Sequence, residues 1–358
     1  MKRIDFIADD SGNIKDIRDD YDPSLEEFLM SATFRCFLVE RVEGELRQSV
    51  VERVEEDLPP GEVTIRVEYS SLNYKDALAA TGHPGVVRRF PHVPGIDAAG
   101  EVIASSDDRF KPGDKVIATS YEIGAERWGG WSQLLRVPGD WVLPLPAGLT
   151  TFEAMALGTA GLTAALSVFA LAQHGVLAER GEVVVTGATG GVGSLAVMLL
   201  AKLGYRVVAV TGKAAEESRL RAWGANRVIG REELLEPPEK PLLSVRYAGG
   251  IDTVGGLMLS TLLRQTDHYG CVTACGLVGG TELPISVHPF ILRGVTLVGI
   301  STAWTPRARR EEMWQRLAGP WRIAIPADAI ETVSLDDVGE RVTQILAGKI
   351  TGRTVVAL

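Results

Sequence analysis

Four glycines at 187, 190, 191 and 193, within EVVVTGATGGVG at 182–193, have the spacing of a turn that cradles a pyrophosphate. With no Cβ, such residues let the backbone bend sharply and bring phosphate oxygens up to the unpaired N–H groups of a helix N-terminus. A glycine-rich turn alone is weak, and a purely structural turn is the competing reading. Here a β-branched run precedes it and the amphipathic stretch LAVMLLAKLG follows, the strand, turn and helix that a dinucleotide fingerprint demands. The next predicted strand, RVVAV at 206–210, ends where the adenosine ribose would lie, and an NAD site places Asp or Glu there. This chain continues Thr211, Gly212, Lys213: a hydroxyl, a bare backbone and a cation, with no carboxylate to repel a 2′-phosphate. NADPH is the expected cofactor. Arg231, after the short predicted strand RVI at 227–229, is either a second cation for that phosphate or a solvated loop residue.

From residue 182 onward strands and helices alternate, which argues for an α/β unit with a parallel sheet covered on both faces. Strands are read at VVVTG, RVVAV, RVI, IDTVG, CVTACG and VTLVGI, and helices at RARREEMWQRLAG and SLDDVGERVTQILAG. Upstream, from Phe34, short alternating segments separated by Gly, Pro and Asp suggest a small β-barrel-like domain. Thr151 to Ala172 reads as a helix joining the two, and the closing GRTVVAL as a strand that returns to the first domain. Residues 1–33 stand apart as an acidic extension with nine acidic and four basic side chains.

The chain has 358 residues, 46% hydrophobic and 23% charged, enough for two soluble globular domains. A net charge of −9 makes nucleic acid or an anionic membrane surface a poor partner. The longest apolar runs read as strands or core helices rather than bilayer spans, and no basic-then-apolar leader opens the sequence. Three cysteines form no disulfide framework; Cys271 and Cys275 are four apart in a predicted strand, roughly 13 Å of rise, too far to bridge without distortion. A cytoplasmic protein is expected.

SSLNYKDALAATG followed by FPHVPGIDAAGEV, then Trp128-Gly-Gly, VTGATGGVGSLAV, KLGYRVVAVTGK, IDTVGG, ACGLVGG, PFILRGV and a terminal GRTVV resemble the medium-chain dehydrogenase/reductase superfamily. Within it the chain looks like the acryloyl-CoA reductase group of the zinc-free quinone-oxidoreductase branch. The resemblance implies a GroES-like catalytic domain over 34–157 and 325–358, a Rossmann-type NADPH-binding domain over 158–324, and a homodimer. It implies cofactor contacts from Thr189, Gly190, Gly191, Val192, Thr211, Gly212, Lys213, Leu277, Ile291, Thr302 and Arg353, with core packing as the alternative for Leu277 and Ile291. The places of the catalytic zinc ligands in metal-dependent members correspond to Asn73, Ile96 and Thr159, which cannot rebuild a three-ligand site. The five histidines are scattered and read as surface or hydrogen-bonded residues.

Without a Lewis acid the favoured chemistry is conjugate hydride addition to an activated alkene, which needs orientation, an oxyanion donor and a proton. Asn73, Tyr74 and Asp76 follow a predicted strand and are the catalytic candidates. Asn73 would hydrogen-bond substrate or cofactor, Tyr74 would donate a hydrogen bond or pack on the nicotinamide, and Asp76 would orient a neighbour. Their alternative is a polar turn capping a helix that begins near Lys75. The expected substrate is an enoyl-CoA, acryloyl-CoA first; a quinone acceptor or an NADPH-binding protein without turnover are the rivals. Gly299-Ile300-Ser301-Thr302-Ala303-Trp304 departs from the acid-containing family pattern, and Trp304 either fills a core gap or meets substrate. Arg88 and Arg89 are either cations for a CoA phosphate or simply solvated.

Overall fold

The computed structural model describes residues 33–358, so the acidic extension, apart from Thr33, lies outside the described residues. The hairpin of β1 (Thr33–Val42) and β2 (Glu45–Val54) leads into β3 (Val63–Leu72), helix α1 (Tyr74–Ala80), β4 (Asp97–Ser105), β5 (Lys115–Thr119), β6 (Leu134–Val137) and β7 (Val142–Pro144). Helix α2 (Thr151–Gln173) then crosses to β8 (Glu182–Val185), α3 (Gly191–Lys202), β9 (Arg206–Thr211), β10 (Arg227–Gly230), β11 (Tyr247–Asp252), β12 (Thr266–Ala274) and β13 (Thr296–Gly299). The chain closes through α4 (Arg307–Ala318), β14 (Ile330–Ser334), α5 (Val338–Leu346) and β15 (Arg353–Ala357).

Strands β8 to β13 form one parallel sheet in the order β10-β9-β8-β11-β12-β13. That is the doubly wound dinucleotide order, with its switch point between β8 and β11 beside the glycine turn. The other large sheet runs β14-β15-β3-β4-β5-β7, with β6 also paired to β3. The last strand pairs antiparallel with β3, Thr354 against Leu72, so the expected return to the first sheet occurs.

Helix α2 is the spine between the sheets. It is almost uniformly apolar, and its residues share one core with Ala99, Ile117 and Leu143 of one sheet and Val183, Val185 and Val207 of the other. Among the described residues α2 alone is long and apolar enough to cross a membrane, and 89% of that window is buried in protein, as in a core helix. The predicted strand IDTVG shifts, to Tyr247–Asp252, with residues 253–255 outside it. Pairing to β8 on one side and β12 on the other holds Gly249 and Gly250 extended.

Candidate active site

Strand β8 ends buried, and the chain turns through Gly187 (φ 58°) into the N-terminus of α3. Gly193 is dictated by close approach, since a Cβ there would sit 2.2 Å from the Gly187 carbonyl oxygen. Thr186 Oγ1 donates to Asp252 Oδ1 at 2.8 Å, and Thr253 Oγ1 donates to the Thr186 carbonyl at 2.8 Å, fixing the turn to the neighbouring strand end. Gly190, Gly191 and Val192 remain half-buried at the open N-terminus of α3, whereas Thr189 is buried. The helix offers N–H donors and its positive dipole end there, so the residues present fit a pyrophosphate.

At the end of β9 the Thr211 hydroxyl accepts from the Lys213 N–H at 3.0 Å. Lys213 Nζ donates to the Ile350 carbonyl at 2.7 Å and to Thr351 Oγ1 at 3.2 Å. Burial lowers the Lys213 pKa, with Glu216 opposing. Arg231 lies over Gly212, a Cβ on which would be 3.3 Å from Arg231 Nε, so two cations flank the strand end. The expected cluster of hydroxyl, bare backbone and positive charge is therefore assembled in space.

The second group gathers where α1 starts. Asn73 caps α1, its N–H donating to Asp76 Oδ2 at 2.7 Å. Its side-chain amide donates to Asp97 Oδ2 at 2.8 Å, and its Oδ1 accepts from Arg353 Nη1 at 3.2 Å. Asp97 is the residue that sequence reasoning missed. Fully buried at the start of β4, it also accepts from Ser71 Oγ at 2.6 Å and from Thr159 Oγ1 at 2.5 Å. Gly158 makes the last contact possible: its φ of 52° breaks α2, so the Thr159 N–H turns onto Asp97 at 3.0 Å. The signal available in sequence was an acid inside the apolar stretch PGIDAAG, since a buried carboxylate is rare unless partnered.

Asp76 is buried and accepts the Ile96 N–H at 2.7 Å. Burial, and then the Asp97 carboxylate, push its carboxyl up to about 7 against those hydrogen bonds. The Arg353 guanidinium is buried among them, donating Nε to the Ala156 carbonyl at 2.9 Å, while its Nη2 has no partner among the described residues. Burial lowers its pKa and the two aspartates oppose. A Cβ on Gly191 would lie 2.9 Å from Arg353 Nη1, and the Gly352 N–H donates to the Thr189 carbonyl at 2.9 Å. The closing segment thus joins the glycine turn to the Asn73 cap.

Tyr74 stands at the first turn of α1, 39% exposed, outside this buried network. Leu277 and Ile291 are 59% and 69% exposed, which removes the core-packing alternative for both. Trp304 is 69% exposed and so fills no core gap. Thr302 is half-buried, its carbonyl held at 2.6 Å by Arg310 Nη2, while Arg310 Nη1 reaches the Thr119 carbonyl at 3.0 Å. Arg310, not singled out in the sequence, thereby ties the loop after β13 to the end of β5. Arg88 and Arg89 are exposed, Arg88 lying 3.9 Å from Glu126. His92 is buried, with Nε2 3.1 Å from the Gly124 carbonyl, and burial drives its pKa down to about 4.

The three positions compared with zinc ligands do converge, but as hydrogen-bonding groups. Asn73 and Thr159 donate to Asp97, and Ile96 contributes only its N–H to Asp76. Among the described residues no three His, Cys, Asp or Glu side chains are grouped to hold a metal ion. A chelator is therefore expected to leave turnover and the thermal melt unchanged. Activity lost to a chelator and restored by stoichiometric zinc would contradict this donor set.

Two family models match, an alcohol dehydrogenase GroES-like domain over residues 59–147 and a zinc-binding dehydrogenase domain over 191–319. The acrylyl-CoA reductase AcuI of Ruegeria pomeroyi is 46% identical over 329 residues, covering 90% of this chain and 98% of that protein. The crystal structure of the yhdH oxidoreductase from Salmonella enterica in complex with NADP superposes with a TM-score of 0.87, is 46% identical, and covers 90% of this chain and 99% of its own. The Bacillus subtilis protein yhfP, named a putative quinone oxidoreductase and solved with NAD bound, gives a TM-score of 0.89 at 44% identity, covering 92% of this chain and 100% of its own.

Proposed function

The chain belongs to the zinc-free branch of the medium-chain dehydrogenase/reductase superfamily that holds acrylyl-CoA reductases and their quinone-oxidoreductase relatives, and we propose that it is an NADPH-dependent reductase of an α,β-unsaturated acyl-CoA. The carrying observation is the closing segment, where Gly352 bonds the glycine turn while Arg353 bonds the Asn73 cap. It holds nucleotide turn and catalytic segment side by side, as a hydride acceptor requires. Bound NADPH supplies a hydride to the β-carbon of the alkene.

The assignments of individual residues follow from their placement. Gly191 and Val192 offer N–H groups to the pyrophosphate, Gly190, whose N–H is held by the Gly187 carbonyl, gives it a bare backbone to approach, Thr189 lies beneath them, and Thr211, Gly212, Lys213 and Arg231 receive the 2′-phosphate. Leu277 and Ile291 supply exposed surface and Thr302 a half-buried one to the nicotinamide half, and Arg353 supports the glycine turn from beneath as a buried cation. Asn73 and Asp76 shape the pocket through the cap, and Tyr74 presents the exposed phenol. The GroES-like domain over 34–157 and 325–358, the Rossmann-type domain over 158–324 and a cytoplasmic location complete the reading. A second copy would pair through the edge strand β13, whose residues are half-buried or exposed.

A quinone is the second acceptor to try, because the Bacillus relative carries that name. Steady NADPH oxidation with acryloyl-CoA and not with quinones is expected; the reverse result would transfer the assignment to quinones, and tight NADPH binding without either turnover would overturn both. Tyr74→Phe should lower single-turnover NADPH oxidation without a matching loss of stability, and Tyr74→Ala should also weaken NADPH by removing packing area. Wild-type hydride-transfer rates in both folded variants would reduce Tyr74 to a packing residue.

A further inference from the structure

We propose that Arg310 is a positioning residue for hydride transfer: its guanidinium fork sets the spacing between the loop that carries Thr302 and the strained turn that carries Ser120 and Tyr121. This rests on the reading that places the nicotinamide half of the cofactor against Thr302.

The loop after β13 lies at the carboxyl edge of the parallel sheet, where the Ile300 N–H donates to the Ala274 carbonyl at the end of β12 at 2.9 Å. Doubly wound sheets bind ligands along that edge, and the glycine turn after β8 and Thr211 at the end of β9 stand on it too. Thr305 Oγ1 donates to the Ser301 carbonyl at 2.8 Å and closes the loop on itself. Arg310 on α4 then holds the closed loop, its Nη2 donating to the Thr302 carbonyl at 2.6 Å.

The other branch of the fork grips the first sheet. Arg310 Nη1 donates to the Thr119 carbonyl at 3.0 Å and to Thr119 Oγ1 at 3.1 Å. Ser120 and Tyr121 follow with φ of 62° and 50°, two successive left-handed residues that are not glycine. Such a backbone persists only where its surroundings over-determine it, and it concentrates at functional sites. Here the Ser120 N–H donates to the Ile96 carbonyl at 2.6 Å, and the Tyr121 ring stacks on Trp141 at 5.4 Å and meets the Arg310 guanidinium 4.2 Å from its centroid. The turn leads straight into the buried cluster: Ser120 Oγ is 2.8 Å from Thr159 Oγ1, Thr159 bonds Asp97, and Asp97 bonds the Asn73 amide. One side chain, 1% exposed, therefore spans the cofactor edge and the segment that shapes the pocket. Arg307, one turn earlier, fastens α4 to β7 separately, through the Val142 carbonyl at 2.8 Å and the Asp140 carbonyl at 3.0 Å. Loss of the Arg310 fork thus frees the Thr302 loop without detaching the helix. A lysine would keep the charge but, as a point donor, could not bridge both carbonyls in the plane of a guanidinium.

The full chain is compared with Arg310→Lys and Arg310→Met by thermal melts, by titrations with NADPH and with adenosine 2′,5′-bisphosphate, and by single-turnover oxidation of NADPH with acryloyl-CoA. The bisphosphate is the half of the cofactor that lacks nicotinamide. Arg310→Lys should melt near wild type and bind the bisphosphate normally, yet bind NADPH more weakly. Its hydride transfer should be about 10²-fold slower, the cost of a misplacement of about 1 Å. Arg310→Met should show the same split together with a lower melting temperature, because it also removes the charge over Tyr121. A folded Arg310→Lys variant with wild-type transfer, or with NADPH and bisphosphate weakened by the same factor, overturns the assignment and leaves Arg310 a structural bolt. The binding comparison needs no acceptor, so wild-type protein inert toward acryloyl-CoA overturns the alkene-reduction reading, and the ratio of the two affinities still decides the role of Arg310.

Discussion

Arg353→Met should be among the most damaging single changes in the protein, with a stability loss of about 3–5 kcal/mol, the range for removing one partner from a buried ionic cluster. The guanidinium is the buried cation facing Asp76 and Asp97, and it holds the Asn73 cap and the Ala156 carbonyl. Its removal leaves Arg310 as the remaining buried cation that feels Asp97 and takes the facing cation from Asp76, so Asp76 binds its proton more tightly. Asp76 already has its folded-state pKa raised to about 7, which means that stability falls as pH rises from the ordinary carboxyl range through that value. The variant should extend that fall upward, so the loss should be greater above about pH 7 than below it. Urea denaturation at several pH values, with an NADPH titration at each, reads both effects. A variant as stable as wild type and binding NADPH normally would show that Arg353 is dispensable to the cluster and to the cofactor.

Cofactor preference is the second large effect. Hydrogen bonds to a charged group contribute roughly 1.5–3 kcal/mol, so NADPH should bind about 10- to 150-fold more tightly than NADH. Two of the Lys213 donors hold Ile350 and Thr351, so Lys213→Ala will also loosen the closing segment. That loss falls on both cofactors. The ratio of the two dissociation constants isolates the contribution of the cation, and it should shrink in Lys213→Ala and further when Arg231 is also replaced. Equal affinities in the wild-type protein at moderate salt would contradict the reading of the β9 terminus.

The parallel sheet was legible because its strands alternate with helices and the glycine turn sits between β8 and α3, a local pattern. The return of β15 to the first sheet was also visible, as a strand-forming run left over after two helices. Asp97 was not, because its partners Ser71, Asn73 and Thr159 lie 24 to 62 residues away and only folding brings them to one carboxylate. The break in α2 was equally hidden: Gly158 looks like one more small residue in an apolar helix until its φ turns the Thr159 N–H onto Asp97. Leu277 and Ile291 look like core residues by type, and only the fold reveals that they are exposed, Leu277 in the loop after β12 and Ile291 on the short helix His288–Arg293.

Hydride delivery to the β-carbon is tested most directly by single turnover of acryloyl-CoA with NADPH deuterated at the transferring position, followed by mass spectrometry and NMR of the product. The account predicts propanoyl-CoA carrying one deuterium at the β-carbon and a solvent-derived hydrogen at the α-carbon. Deuterium at the α-carbon, deuterium lost to water, or NADPH left unoxidised while a quinone is reduced would contradict it.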